Sequence, residues 1–199
     1  MIGSIVGVLS FKSPPHLMLE VGGIGYEVEA PMSTFYGLPA VGERAALLTH
    51  LVVREDAHVL YGFATLDERT LFRSLLKVTG VGPRMALAIL SGISTAAFAQ
   101  YVRGNDVSAL TRIPGVGRKT AERLVVEMRD RLGDAADGGI GAAGPVPAGP
   151  EAEAHSALVA LGYKPAEASR LLKAATADAA AAATTEELIR RALQSAARE

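Results

Sequence analysis

No cysteine occurs among the 199 residues, which excludes disulfide bonds, thiolate metal sites and a cysteine nucleophile. The histidines are scattered and no two stand at the helical spacing of a metal site, so neither a metal nor another cofactor is expected. No uninterrupted apolar run approaches the ~20 residues that cross a bilayer, and no basic segment precedes the apolar N-terminus as in a signal peptide. We therefore expect a soluble cytoplasmic protein without a membrane partner.

Basic residues are concentrated in the middle third of a chain whose formal net charge is only −1. Residues 76–132 contain 9 basic and 4 acidic side chains, a net charge of +5. The flanking segments 1–64 and 133–199 each carry a net charge of −3. A polyanion binds where positive charge is dense, so the distribution matters more than the sum. A nucleic acid would therefore be bound by the middle third.

Short segments in the first third have the composition of β-strands, being rich in Val, Ile, Leu and Tyr. They are residues 2–9, 17–21, 24–30, 45–53 and 59–63. Gly and Pro separate them, and no long helical pattern lies between them. This order predicts an antiparallel barrel of the OB type over residues 1–64. A fragment of a β-sandwich would have the same pattern.

From Thr65 the hydrophobic period changes from that of strands to that of helices. Thr65 and Glu68 have the spacing of a capping box, and short helices broken by glycine follow as far as Leu132. Residues 65–136 are therefore predicted to form an all-α domain. The fold class is α+β, with several domains.

A charge-free run with five glycines and three prolines lies between Gly138 and Pro150. It has too few large apolar groups to offset its ordering entropy, so residues 137–150 are predicted to be a flexible linker. Residues 151–199 show three helical patterns, the third opened by a second capping box, Thr184 and Glu187. They predict a three-helix bundle, in which residues 176–183 fit either a connector or further helix.

Residues 75–90 and 110–125 align without a gap at a constant offset of 35 residues. Each copy has an apolar helical segment, the sequence Gly-Val-Gly, and then a second helical segment that begins with basic residues. Internal similarity at a fixed period indicates a duplicated structural unit. The pattern predicts tandem helix-hairpin-helix motifs.

Such a hairpin can bind the phosphate backbone of DNA. Glycine permits positive φ and close approach of another backbone, and the new helix presents unpaired N–H groups at the positive end of its dipole. None of these groups reads a base edge, so binding is expected to be independent of sequence and sensitive to salt. The valines between the glycines should be buried and anchor each hairpin to the core. The predicted backbone-binding residues are Gly80, Val81, Gly82, Arg84, Gly115, Val116, Gly117, Arg118, Lys119 and Arg123.

Parts of the two hairpins resemble nucleotide-binding motifs without matching them. Residues 115–120 read Gly-Val-Gly-Arg-Lys-Thr, but Arg118 stands where a P-loop needs glycine, and no strand precedes it. Met85 and Thr120 occupy the positions of the third glycine of a dinucleotide fingerprint. No ATP or dinucleotide site is expected.

Over nearly its whole length the chain resembles the RuvA family, the Holliday-junction-binding subunits of bacterial branch-migration complexes. The clearest matches are residues 52–57, 60–63, 80–92 and 114–128. The resemblance implies an OB-fold barrel, a paired helix-hairpin-helix domain and a mobile C-terminal bundle similar to ubiquitin-associated domains. It implies a homotetramer through the first domain, with one or two tetramers holding an open junction. It also implies two partners, a RuvB-type ATPase ring motor bound through residues 151–199 and a junction resolvase of the RuvC type.

Glu55 and Asp56 gain a role only through this resemblance. By composition, residues 54–57 form a solvated turn between two strands. In the family the matching pair forms an acidic pin near the tetramer centre, where the carboxylates would repel phosphates.

Other function classes fit parts of the sequence. A helix-hairpin-helix DNA glycosylase or lyase would need an acid or a lysine beyond the hairpin, and a base pocket. Its candidates, Asp106 and Asp130, also have ordinary interpretations as a helix cap and as a solvated residue at a helix end. A scaffold that binds only proteins would leave the basic middle third unexplained. The favoured interpretation is a non-catalytic junction-binding protein that loads a motor for branch migration in recombination and repair.

Overall fold

The structure is a computed structural model that describes residues 1–138, 149–177 and 184–196, and for residues 130–138 and 177 it describes the backbone alone. The chain divides into two compact units, Met1–Gly141 and Ala142–Glu199. Most of the predicted linker, residues 139–148, lies outside the described residues. The elements of the first unit are β1 (Ser4–Ser13), β2 (His16–Val21), β3 (Ile24–Glu29), α1 (Met32–Gly37), β4 (Arg44–Val53), β5 (His58–Phe63), α2 (Leu66–Leu75), α3 (Pro83–Gly92), α4 (Thr95–Arg103), α5 (Val107–Thr111) and α6 (Arg118–Gly138). The elements of the second unit are α7 (Pro150–Ala160), α8 (Pro165–Ala177) and α9 (Thr185–Ala196).

The strands close into a barrel in the order β1-β2-β3-β5-β4. Neighbouring strands are antiparallel except β3 and β5, which pair in parallel where Glu29 faces Tyr61. Side chains alternate as far as Leu9 in β1 and along β2, so Ile5, Leu9, Leu17 and Leu19 point into the barrel core. The predicted OB-type barrel is confirmed, and the sandwich alternative is wrong because the sheet closes.

The first strand and the first helix differ from the sequence prediction. Strand β1 continues to Ser13, beyond the predicted end at Leu9, with a register shift between Leu9 and Phe11. A bulge of this kind bends a strand without ending it, which lets β1 pair with both β2 and β4. Helix α1 has only six residues, too few for a helical period to be visible in the sequence.

Strand β5 contributes to two cores. Leu60 packs in the barrel core, whereas Tyr61 and Phe63 belong to the core of the helical domain. The ring of Phe72 in α2 meets both aromatic rings, with centroid distances of 5.0 Å to Tyr61 and 4.9 Å to Phe63. The barrel and the helical domain therefore share buried apolar surface.

A buried carboxylate joins the barrel to the first helix of the helical domain. Glu68 Oε2 accepts hydrogen bonds from Thr34 Oγ1 at 3.1 Å, from Ala64 N at 3.0 Å and from Thr65 N at 3.2 Å. Thr65 Oγ1 in turn accepts from Glu68 N at 3.2 Å, so the predicted capping box is confirmed. The same side chain thus caps α2 and binds α1.

A second polar contact links β4 to α2. Arg73 Nε donates to His50 Nδ1 at 3.3 Å, and the histidine ring meets Phe72 edge-on at a centroid distance of 5.7 Å. Burial lowers the pKa of His50, and the charges of Arg73 and Arg69 lower it further. The contact uses the neutral imidazole, because only a deprotonated Nδ1 accepts a hydrogen bond.

The last helix of the first unit is longer than predicted. Helix α6 continues to Gly138, past the expected end near Leu132. No proline before Pro145 ends the helix, and Ala135 and Ala136 have high helix propensity. Asp130 therefore lies inside a helix, and its predicted place at a helix end is wrong.

The second unit is the predicted three-helix bundle. Its buried core comes from all three helices and comprises Ala154, Leu158, Ala168, Leu171, Leu172, Ala175, Leu188 and Ala192. Glu187 N donates to Thr184 Oγ1 at 3.4 Å at the start of α9. Of residues 176–183, the first two belong to α8, and residues 178–183 lie outside the described part of the chain.

Within the described residues, no single helix is both long and apolar enough to cross a membrane. Of the described helices, α3 and α4 meet that test when taken together, and they are bent by 97° relative to each other.

The buried carboxylate leads to a stability prediction. Glu68→Ala should lower the free energy of unfolding by about 2–4 kcal/mol, because it leaves the Thr34 hydroxyl and a helix-end N–H group without their acceptor. Urea denaturation followed by circular dichroism measures the loss. Asp67→Ala in the same helix turn is the matched control and should cost less than about 1 kcal/mol, the size of a helix-dipole interaction. Equal, small losses in both variants would contradict the role given to Glu68.

Candidate nucleic-acid interface

The two hairpins have the same backbone hydrogen bonds at an offset of 35 residues. Val81 N donates to Val78 O at 3.0 Å in the first hairpin, and Val116 N donates to Ile113 O at 3.0 Å in the second. The amides of Ala86 and Ala121 donate to the glycine carbonyls four residues earlier, at 3.0 and 2.9 Å. The duplication seen in the sequence is therefore a duplication of backbone geometry.

The first glycine of each hairpin has a left-handed backbone. The φ angle is +85° at Gly80 and +85° at Gly115, a region that side chains with a Cβ rarely adopt. The valine after each glycine is buried, with 6% of Val81 and 5% of Val116 exposed. Both valines belong to the core of the helical domain, as the sequence predicted.

The second glycine of each hairpin faces open space. Gly82 is the N-cap of α3 with a φ of −93°, and Gly117 directly precedes α6. A Cβ built at either position would have no described atom of the chain within 4 Å. Neither backbone strain nor crowding within the described chain therefore requires glycine at these positions. A small residue here leaves room for a molecule that approaches from outside.

Each hairpin opens a helix whose first N–H groups have no partner within the helix. Pro83 stands at the first position of α3, where its missing N–H costs little. The helices α3 and α6 have 10 and 21 residues, long enough for a full dipole at the N-terminus. The two N-termini are thus suited to bind anions.

The predicted cations lie around these N-termini but differ in what they contact. Arg84 and Lys119 are exposed at matching positions, two residues into their helices. Arg118 is exposed and pairs with Glu122, with Nε 3.0 Å from Oε1. Arg123 Nη1 donates to the backbone carbonyl of Thr79 at 2.8 Å, so it bridges α6 to the first hairpin.

Two further cations were missed in the sequence. Lys77 and Arg112 are exposed and stand three residues before the first glycine of their hairpins. They occupy equivalent positions in the two copies, 35 residues apart. The alignment of the repeats contained this signal.

The acidic residues lie in the turn that the sequence predicted. Strand β4 ends at Val53 and β5 begins at His58, and Arg54 N donates to Ala57 O at 2.9 Å to close the turn. Glu55 and Asp56 are exposed at its tip.

Tyr61 lies near charged groups of several elements. The pKa of Tyr61 is raised by burial and by the charge of Glu29, and it is partly lowered by Arg54 and Arg84.

Of the two acids that a glycosylase or lyase could use, the structure describes the side chain of Asp106. Asp106 caps α5, with Oδ1 accepting from Ala109 N at 2.9 Å, as the ordinary interpretation predicted. A cleft of about 550 Å³ lies between the β1–β2 turn and α3, and its lining includes Arg84 and Glu29 but not Asp106. Among the described residues no group of three or more His, Asp or Glu side chains could hold a metal ion.

Comparisons with known proteins agree with the domain order. Residues 1–62 match the family model of the RuvA N-terminal domain, residues 72–130 match the SAM-like helix-hairpin-helix tandem, and residues 149–197 match the RuvA C-terminal domain.

Relatives named "Holliday junction branch migration complex subunit RuvA" align along almost the whole chain. The protein of Thioalkalivibrio sulfidiphilus is 58% identical over 98% of both chains. Those of Nitrosococcus oceani and Alkalilimnicola ehrlichii are 55% identical over 98% of both chains and 53% identical over 100% of both chains. With such identity along its full length, this chain belongs to the RuvA family.

Proposed function

We propose that this chain binds Holliday junctions through the DNA backbone and carries the junction into branch migration as the DNA-binding subunit of a complex with a RuvB-type motor. The observation that carries the proposal is the pair of hairpins with equal backbone geometry, each opening a helix N-terminus. The relatives named as junction branch-migration subunits support the same function.

Binding to the backbone follows from the groups that each hairpin presents. Helix N-terminal amides and exposed cations such as Arg84 and Lys119 suit phosphate oxygens, which are the same at every base pair. The open space at Gly82 and Gly117 lets a phosphate approach the amides closely. Recognition should therefore depend on the shape of the DNA rather than on its sequence.

The shape that we propose is an open four-way junction on a tetramer. A four-fold arrangement would bring the turns with Glu55 and Asp56 of all four copies together at the crossover. Neighbouring carboxylates and phosphates repel each other by about 1 kcal/mol at 4 Å in water, and by more where water is restricted. The turns would thus keep duplex out of the centre and help to separate strands there.

The chain supplies binding and orientation, and we propose that it is not itself catalytic. The bundle α7–α9 has its own buried core, so it can act as a separate docking module for the ATPase ring. A RuvC-type resolvase would use the exposed face of the junction when one tetramer is bound, whereas two tetramers would enclose the DNA. Because the proposed ligand is bacterial chromosomal DNA, we place this activity in the cytoplasm.

The proposal is tested by titrating the full chain against a synthetic four-way junction and a linear duplex of equal length, in EDTA and at two salt concentrations. We expect strong preference for the junction. If about 4 phosphates are neutralised per subunit, log K should fall against log salt with a slope of roughly −3.6. Equal affinity for both DNAs would contradict junction recognition and leave the hairpins as general phosphate grips.

The second glycine of each hairpin gives a sharper test of where DNA binds. Gly82→Ala combined with Gly117→Ala should weaken junction binding by roughly tenfold or more, because each methyl group displaces a phosphate from charge-assisted amide contacts. The free energy of unfolding should change by at most about 1 kcal/mol per site, because both backbones are ordinary and uncrowded. Gly37→Ala is the control, since its Cβ also meets no described atom and it lies in α1. A double variant that binds like the control would argue against hairpin contact with DNA.

The acidic turn should act on specificity rather than on affinity. Glu55→Gln combined with Asp56→Asn removes the repulsion between the turn and phosphates, so it should keep junction affinity but reduce the preference for junction over linear duplex. Competition between the two DNAs measures that preference. Glu20→Gln combined with Glu27→Gln removes two exposed barrel carboxylates and serves as the charge-matched control. An unchanged preference in the turn variant would exclude the proposed pin.

A further inference from the structure

The two hairpins carry different residues at one loop position, although the backbone hydrogen bonds around that position are equivalent. Thr79 precedes Gly80 in the first hairpin, and Pro114 precedes Gly115 in the second. The proline has a fixed φ and no N–H, whereas the threonine has a freer backbone and an N–H group that can donate a hydrogen bond.

Two side chains of α6 form hydrogen bonds with the backbone of Thr79. Arg123 Nη1 donates to Thr79 O at 2.8 Å, and Thr79 N donates to Glu127 Oε2 at 3.4 Å. Arg123 and Glu127 are four residues apart, so they lie on the same face of the helix, one turn from each other. The N–H and C=O groups of Thr79 are thus both bound by side chains, 44 and 48 residues further along the chain.

Helix α3 passes the second hairpin without such groups. The positions that match Arg123 and Glu127 in the first repeat are Ala88 and Gly92. A Cβ built at Gly92 would lie 3.5 Å from Cγ2 of Ile113, so this face of α3 touches the residue just before Pro114. Gly92 offers the second loop no polar side chain and Ala88 lines the cleft toward the β1–β2 turn, whereas Glu127 offers the first loop a carboxylate. The residues that bind the Thr79 backbone therefore have no polar equivalents in α3.

We propose that Arg123 and Glu127 form a clasp with the backbone of Thr79, and that the clasp is a positioning device for DNA binding. It holds the first hairpin in its binding conformation and ties it to the helix that begins in the second hairpin. The second hairpin reaches the same rigidity through Pro114. Because binding costs less when loops are already ordered, the clasp raises affinity through the hairpin. This inference rests on the proposed phosphate binding by the hairpins.

The clasp is tested first in the free protein, by amide hydrogen exchange measured with NMR on the full chain. Val81 N is the reporter, because its bond to Val78 O closes the first hairpin, and Val116 N is the internal control in the second. Arg123→Gln or Glu127→Ala should speed exchange at Val81 by roughly three- to tenfold, as expected for loss of one hydrogen bond to a charged group at the surface. Exchange at Val116 should not change.

Arg129→Gln is the matched control for the loss of an exposed arginine from α6, and it should leave Val81 exchange unchanged. Arg123→Lys keeps one N–H donor for Thr79 O and should restore most of the protection at Val81. If Arg123→Gln leaves Val81 exchange at the wild-type rate, or if the lysine variant exchanges as fast as the glutamine variant, the clasp is excluded.

Rescue by proline separates positioning from direct phosphate contact. Arg123→Gln should weaken junction binding about fivefold, and Thr79→Pro in that background should restore most of the affinity, because it stiffens the loop as Pro114 does. The loop can accept proline, since Ile113 and Val78 make equivalent hydrogen bonds. In the Thr79→Pro background, Glu127→Ala should have no further effect. If proline restores no affinity while Arg123→Gln lowers it, Arg123 is a phosphate ligand and the clasp is not required for binding.

The two proposals fail in different experiments. A wild-type chain without junction preference would overturn the proposed function, whatever Val81 exchange shows. Unchanged amide exchange at Val81 in the Arg123→Gln variant would overturn the clasp, even when the wild-type chain prefers the junction.

Discussion

The carboxylate of Glu68 is the interaction on which the arrangement of the first unit depends. It accepts hydrogen bonds from α1, from the end of β5 and from the start of α2, at the one place where the barrel and the helices meet in sequence. A buried carboxylate is costly unless its lone pairs are used, so the group is stable only when all three elements are in place. The direction of α2 is thereby fixed relative to the barrel. Since α2 leads into the first hairpin, this contact acts together with the packing of Phe72 and the Arg73–His50 hydrogen bond to place the hairpin relative to the barrel.

Local rules predicted much of the fold. The capping box of Thr65 and Glu68 and the period of the strands depend on neighbours within a few residues, and the structure confirms them. The second role of Glu68 was not visible, because its partner Thr34 lies 34 residues away in a helix too short to leave a periodic signal. The same limit applies to β5, whose two faces enter different cores, since an uninterrupted apolar strand does not reveal what covers each face.

The sequence predicted where the candidate site lies, but it did not predict which of its cations are engaged in contacts within the protein. Aligning the repeats located both hairpins, and the same alignment contained Lys77 and Arg112. The sequence alone does not distinguish Arg118 and Arg123 from the other cations near a hairpin. In the structure one is paired with Glu122 and the other contacts the Thr79 carbonyl. Contacts made across the helical domain decide how much of a charge is available to DNA, and spacing along the chain does not encode them.

Duplication explains why the backbone is equal in the two hairpins while the side chains differ. If phosphate is bound mainly by amides at a helix N-terminus, the features that must be kept are the left-handed glycine, the buried valine and the open second glycine. Side chains elsewhere on each helix are then free to diverge: Arg123 and Glu127 contact the backbone of Thr79, and the matching residues of α3 are Ala88 and Gly92. A site that read base edges would need side chains at fixed positions in both copies. Divergent side chains on a preserved backbone are what recognition of DNA by its backbone permits.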